Sequence, residues 1–316
     1  MTARTRAAIA AVLAGVLLGA SGCTLPPAGA DGDLIDDWKA LTAPKFDLPA
    51  VGTCLEGSAA TTTFSPSTVR DAETPCDRDH TFEVVLVGTV DGSAAQRAVP
   101  PEPGGGPGGE AYRAAYKTCS PAADAYVGGD WHTGLFGVTM QMPARRSWEG
   151  GLRSYVCSVL VLSDFFGRIG SSTGSSKGSL TGAAPKAMHC LDVNGDKGSD
   201  GWWEEVRAMT PVDCAQPHEA EFAGTVQVGA DIAGELPSTD QLQKLAGERC
   251  WPAVAKFMGL TGAQLDSRRD IGVFWDGFDK AMWDAGDRTQ RCVALSYPGK
   301  KLRASVKGIA TKALPV

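Results

Sequence analysis

Cys76-Asp77-Arg78-Asp79-His80-Thr81-Phe82-Glu83 returns later in the chain as Cys214-Ala215-Gln216-Pro217-His218-Glu219-Ala220-Glu221. The shared frame is Cys-x3-His-x2-Glu, and it is flanked by further matches. Cys54, Cys119 and Cys157 surround the first stretch; Cys190, Cys250 and Cys292 surround the second. Trp148, Glu149, Gly151, Arg153 and Cys157 recur at the same spacing as Trp283, Asp284, Gly286, Arg288 and Cys292. Gly137-Val138 and Gly272-Val273 precede those tryptophans by equal intervals, and Gly88-Thr89-Val90 resembles Gly224-Thr225-Val226. Agreement at this many spaced positions does not arise from composition, so the chain reads as two copies of one domain about 135 residues apart.

The N-terminus reads as an export leader. Arg4 and Arg6 precede an apolar run from Ala7 to Leu18, and small residues lead to Ala20-Ser21-Gly22-Cys23. That run is shorter than the roughly 20 residues a membrane-spanning helix needs. A cysteine directly after Ala-Ser-Gly resembles the lipobox of bacterial lipoproteins, with Ala20 where leucine is usual. The resemblance implies cleavage before Cys23 and acylation at that residue, which places the chain on the outer face of the cytoplasmic membrane. Without the two leader arginines the formal charge moves from −6 to −8. A net acidic chain with interspersed charges argues against general nucleic-acid binding.

Of nine cysteines, eight remain once Cys23 is set aside, four per copy. In an exported protein this reads as a disulfide framework. If both copies close internally in the same way, three pairing patterns remain. The favoured one joins neighbours in sequence: Cys54–Cys76, Cys119–Cys157, Cys190–Cys214 and Cys250–Cys292.

The remaining organisation follows from composition and periodicity. Residues 1–22 read as the leader, 23–50 as a tether, 51–165 as the first copy, 166–185 as a flexible Gly/Ser linker, 186–297 as the second copy, and 298–316 as a basic tail. Each copy predicts a short strand at its first cysteine (51–55; 187–193) and a strand after its second (82–90; 221–228). A helix follows (110–126; 239–257), then two closing strands (135–142 and 155–162; 271–274 and 290–296). Ser238 with Gln241 predicts a capping box, and Pro252 predicts an end or kink in the second helix. The fold class is α+β: two tandem copies of a small antiparallel sheet packed with one helix, each stapled by disulfides.

The chemistry-bearing residues admit several readings. His80 with Glu83 and His218 with Glu221 carry side chains suited to acid/base work, and with a cysteine they suit zinc. Two identical sets in one exported chain, with no Cys-x2-Cys knuckle, fit a structural feature better. The string holding Trp148 and Arg153, or Trp283 and Arg288, reads as a tight turn whose glycine takes a positive φ. Its functional reading is a groove for glycan or peptide. Asp192, Asn194 and Asp196 imitate a calcium loop but meet Lys197 and Trp203 where Gly and Glu are needed, so they read as an acidic turn. No nucleophile elbow, phosphate loop or His-Glu-x2-His string is present.

Together these residues resemble the septum-formation domain of actinobacterial membrane proteins and lipoproteins, over most of residues 51–297. His218 follows Pro217, as the family pattern has it; His80 follows Asp79 and departs from it. The resemblance implies an extracytoplasmic, disulfide-bonded fold and a link to cell division, and it defines no catalytic residues. The chain is thus read as a non-enzymatic, lipid-anchored envelope protein without cofactor or metal. Its two modules would bind an envelope protein or cell-wall polymer through some of His80, Glu83, Trp148, Arg153, His218, Glu221, Trp283 and Arg288. An envelope glycan- or peptide-acting enzyme and a metal-binding lipoprotein are the alternatives.

Overall fold

Two sheets of equivalent strand order, each crossed by a long helix, make up this computed structural model. It describes residues 44–57, 63–181, 186–229, 232, 235–277, 280–297 and 300–316. The leader and Cys23 lie outside the described residues, and among those no helix is long and apolar enough to cross a membrane.

The first copy contains β1 (Cys54–Leu55), β2 (Thr63–Phe64), α1 (Pro66–Ala72), β3 (Glu73–Thr74), β4 (Phe82–Thr89), α2 (Gly92–Ala95), α3 (Gly106–Val127), β5 (Phe136–Pro143), α4 (Arg145–Glu149) and β6 (Ser154–Val161). The second contains β7 (Cys190–Lys197), β8 (Trp203–Val212), β9 (Ala220–Gln227), α5 (Thr239–Met258), α6 (Gly262–Ser267), β10 (Ile271–Trp275), α7 (Lys280–Ala285) and β11 (Thr289–Ser296). The sheets run β2-β5-β6-β4-β1-β3 and β10-β11-β9-β7-β8. Without β2, which adds in parallel to β5, the two orders correspond strand for strand, and every other pairing is antiparallel.

The duplication reaches into backbone detail. A register shift on β4 between Val84 and Leu86 corresponds to one on β9 opposite the step from Cys292 to Val293. Gly88-Thr89-Val90 and Gly224-Thr225-Val226, by contrast, are not equivalent: Gly88 faces Tyr155, whereas Gly224 faces Cys292. The sequence match there is a coincidence of strand composition.

Disulfides Cys54–Cys76, Cys119–Cys157, Cys190–Cys214 and Cys250–Cys292 close within the copies, with Cα separations of 5.2–5.7 Å. In each copy one bridge ties the long helix to the last strand deep in the core, and all four of those cysteines are fully buried. The other joins the start of the sheet to the loop before β4 or β9. Each typically contributes about 2–4 kcal/mol, largely by restricting the unfolded chain.

Helix α3 begins at Gly106, four residues before the predicted start, because proline is tolerated in a first helical turn. The predicted capping box of α5 forms: Ser238 Oγ accepts from Gln241 N and Gln241 Oε1 accepts from Ser238 N. The helix does not end at Pro252, and α3 likewise runs through Pro121. Cys119-x-Pro121 and Cys250-x-Pro252 are equivalent, and the bridge that follows each cysteine anchors the helix to the sheet across the missing hydrogen bond. Asp192, Asn194 and Asp196 sit on β7 rather than in a turn. Asp196 pairs with Arg207 of β8, and Asp192 with Lys301.

The two copies are packed together within residues 46–316. His132 stands at their junction, in a 3-10 turn (Trp131–Thr133). Its Nδ1 lies 2.6 Å from Asp130 Oδ1 and its Nε2 3.0 Å from Asp287 Oδ2 of the second copy. The Tyr116 hydroxyl donates to that same Asp287 oxygen at 3.0 Å. Burial opposes a charge on His132, but its hydrogen bonds to the two aspartates raise its pKa to about 9. The stability gained from this raised value is therefore full below the ordinary histidine pKa of 6.5 and lost as pH rises through about 9. Between pH 6.5 and 9 the thermal midpoint is expected to fall, and His132→Gln is expected to flatten that slope; equal slopes for both proteins would refute the assignment.

Candidate functional site

The cross-strand register sets up the site before any side chain is considered. Cys54 on β1 faces Glu83 on β4, and Cys190 on β7 faces Glu221 on β9. The histidine three residues before each glutamate stands at the entrance to that strand. His80 Nδ1–H donates to the Arg78 carbonyl at 2.9 Å, and its Nε2 lies 3.2 Å from Glu83 Oε1. His218 repeats this with the Gln216 carbonyl at 2.8 Å and Glu221 Oε1 at 3.2 Å. All four side chains are buried.

Each glutamate is then held by a segment that composition marked as linker or tail. Ser175 Oγ donates to Glu83 Oε2 at 2.7 Å and Ser176 N to Oε1 at 2.6 Å. Ser305 Oγ donates to Glu221 Oε2 at 2.7 Å and Val306 N to Oε1 at 2.8 Å. The same straps pair with the histidine backbones, His80 with Ser172 and His218 with Leu302. Gly178 N donates to the Tyr126 carbonyl and Gly308 N to that of Phe257, both glycines at φ 68°.

The stretch read as a flexible linker is thus bound along the first copy up to Thr181, and the stretch read as a basic tail is bound along the second. Residues 182–185 lie outside the described residues. A short motif, Ser175-x-Lys177-Gly178 and Ser305-x-Lys307-Gly308, marks both straps and extends the repeat at its C-terminal side. Glycine and serine suggested a linker because composition cannot report backbone hydrogen bonds to a distant strand.

One difference separates the copies. The Tyr126 hydroxyl adds a further donor to Glu83 Oε2, at 2.9 Å. Phe257 takes the equivalent place in the second copy and carries no hydroxyl. A cleft of about 320 Å³ opens there, lined in part by Met188, His189, Cys214, Glu221, Phe257 and Lys307, with Thr133 of the first copy at its wall. Each histidine–glutamate pair with its strap forms a clasp, and in the second copy the buried glutamate of that clasp lines a cleft.

Burial tends to raise the pKa of Glu83, but hydrogen bonds from Ser176, Ser175 and His80 hold it below the ordinary carboxylate value. Burial tends to lower that of His218, but Glu221 and the Gln216 carbonyl hold it above the ordinary histidine value. The Glu83 contribution is present above pH 4.5 and lost as pH falls through the depressed pKa. The His218 contribution is present below pH 6.5 and lost as pH rises through the raised one. Urea titrations of the oxidised chain are expected to show greatest stability between those limits; a midpoint that climbs steadily above pH 7 would contradict this.

Trp148 and Trp283 do not line an open groove: each is 1% exposed. The string adopts short helices α4 and α7, closed by Gly151 and Gly286 at φ 96° and 91°. Arg153 and Arg288 stack over the indoles at 4.0 and 3.5 Å and donate to the carbonyls of Trp148 and Trp283. The neighbouring acids pair elsewhere, Glu149 with Arg145 and Asp284 with Lys280.

No curated protein and no solved structure matches the chain. The family model for septum formation matches residues 51–292, a span that takes in both histidine–glutamate pairs and all four disulfides and ends before the second strap. The chain therefore belongs to the septum-formation family.

Proposed function

We propose that this protein is a non-enzymatic binding protein of the cell envelope, lipid-anchored through Cys23, that serves septum formation. In this reading the cleft at the second clasp receives an envelope protein or wall polymer. The observation that carries it is the asymmetry of the doubled site. Glu83 accepts hydrogen bonds from Tyr126, Ser175 and Ser176, whereas Glu221 has Phe257 in place of that tyrosine and borders a cleft of about 320 Å³. Apolar walls from Met188 and Phe257, with the exposed Lys307 at the edge, suit an extended segment carrying an acidic group.

Acid/base catalysis would use the same histidines. Their ring nitrogens are directed at internal acceptors and their carboxylates accept from the straps, which favours holding over turnover. The family supports a role in septum formation at the level of process.

Crosslinking in intact cells followed by copurification tests the proposal. The wild-type chain is expected to enrich an envelope protein or wall polymer, and Lys307→Glu to lose it while melting within about 0.5 kcal/mol of wild type, as surface changes do. Equal recovery by both chains, or no envelope component with either, would overturn the binding role.

A further inference from the structure

We propose that reduction of Cys54–Cys76 and Cys190–Cys214 turns each clasp into a zinc site of two thiolates, one imidazole and one carboxylate. Donor atoms of Cys54, His80 and Glu83 lie within 4.8 Å of one another, and those of Cys190, His218 and Glu221 do the same. Bond lengths of about 2.0–2.3 Å in tetrahedral zinc put neighbouring ligand atoms roughly 3.3–3.8 Å apart, the short end holding for nitrogen and oxygen. The His Nε2 to Glu Oε1 separation, 3.2 Å in both copies, is already close to that edge.

The surroundings match what zinc ligands require. Each histidine has its Nδ1–H fixed on a backbone carbonyl, which leaves Nε2 as the ligand atom. Each carboxylate is oriented by a serine hydroxyl and a backbone N–H. The bridges that must open are the accessible ones. Cys76 and Cys214 are half-buried, whereas Cys119, Cys157, Cys250 and Cys292 are sealed in the core. In the second copy the cleft borders Cys190, Cys214 and Glu221, which provides an approach for the ion.

The chemistry balances. A dithiol donates two electrons and two protons to the disulfide and itself becomes a disulfide. The zinc ion then takes both thiolates, the imidazole and the carboxylate, and the thiol and Nε2 protons leave to solvent. Reverse exchange, in which the disulfide formed from the reductant takes back the two electrons, and two protons from solvent, rebuilds the bridge and expels the ion. The device goes beyond partner binding and does not depend on it.

The test uses the full chain, treated anaerobically with a non-chelating phosphine and titrated with cobalt(II) as a spectroscopic substitute for zinc. One ion per module is expected, with thiolate-to-cobalt charge transfer and the intensity of tetrahedral coordination; the oxidised chain should bind none. His218→Ala should lose its own module's ion, and Ser305→Ala should weaken that site by about 10–100-fold, the usual effect of removing an outer partner of a ligand. A reduced chain that takes up no cobalt, occupancy insensitive to His218→Ala, or equal uptake by the oxidised chain would overturn the proposal. Were His218→Ala to lose its near-ultraviolet circular dichroism, the wild-type cobalt spectrum decides alone, since tetrahedral thiolate coordination either appears or does not.

Discussion

Glu83→Ala is expected to destabilise the protein by about 3–5 kcal/mol, the range for removing one partner of a buried charged network. The change leaves the buried His80 ring, the Tyr126 hydroxyl and the buried Ser176 N–H without their carboxylate, while the hydroxyl of the exposed Ser175 can turn to water. An unsatisfied buried polar group costs about 1–3 kcal/mol by itself. Glu221→Ala should cost less, because Phe257 donates nothing and the site borders a cleft. Urea denaturation measures both. A second readout separates the clasp from general destabilisation. Lys177 is exposed on a strap held at both flanks, so trypsin should cut after it in Glu83→Ala well before it cuts the wild type. Equal midpoints for the two variants, or a strap equally protected in Glu83→Ala, would show that the carboxylate does not hold it.

Trp148→Ala should produce a loss of similar size, about 3–5 kcal/mol, for a different reason. The indole is 1% exposed and packs in the cluster that holds Cys119, Cys157, Met140 and Tyr155. Truncation creates a cavity there, strands the Arg97 carbonyl that accepts from Nε1 at 2.8 Å, and removes the face on which Arg153 lies. Trp148→Phe refills most of the volume and restores a ring for Arg153, so it should recover all but roughly 1–2 kcal/mol. If Trp148→Ala melts within about 1 kcal/mol of wild type, the string is not a core element and its reading as a ligand surface regains ground.

Much of this architecture was legible from spacing. Alternating and apolar runs placed the closing strands within a residue or two, because those strands pack one face on a helix and repeat that pattern twice. The cysteines could be paired because duplication left few symmetric solutions and each partner lay nearby in sequence. The hairpin of β7 and β8 was only half visible: Trp203–Val212 carries Glu204, Glu205 and Arg207 among its apolar residues and fully buries only Met209, so it lacks the apolar alternation that marks a strand. The straps were misread because their hold on the fold is made of backbone groups and single serine hydroxyls. Ser175 reaches Glu83 across 92 residues, a relation that no local window contains. The paired aspartates around His132 belong to different copies and were equally out of reach.

The residues by themselves determined a duplicated, oxidised α+β module and its kinship, since repeated spacing and cysteine number are properties of the chain before it folds. Only the tertiary structure decided that linker and tail are parts of the modules, that the tryptophan strings face inward, and that Glu221 borders a cleft while Glu83 takes a tyrosine hydroxyl. Those outcomes depend on which distant groups meet once water is excluded, and a single hydroxyl, present on Tyr126 and lacking on Phe257, acquires its meaning only there.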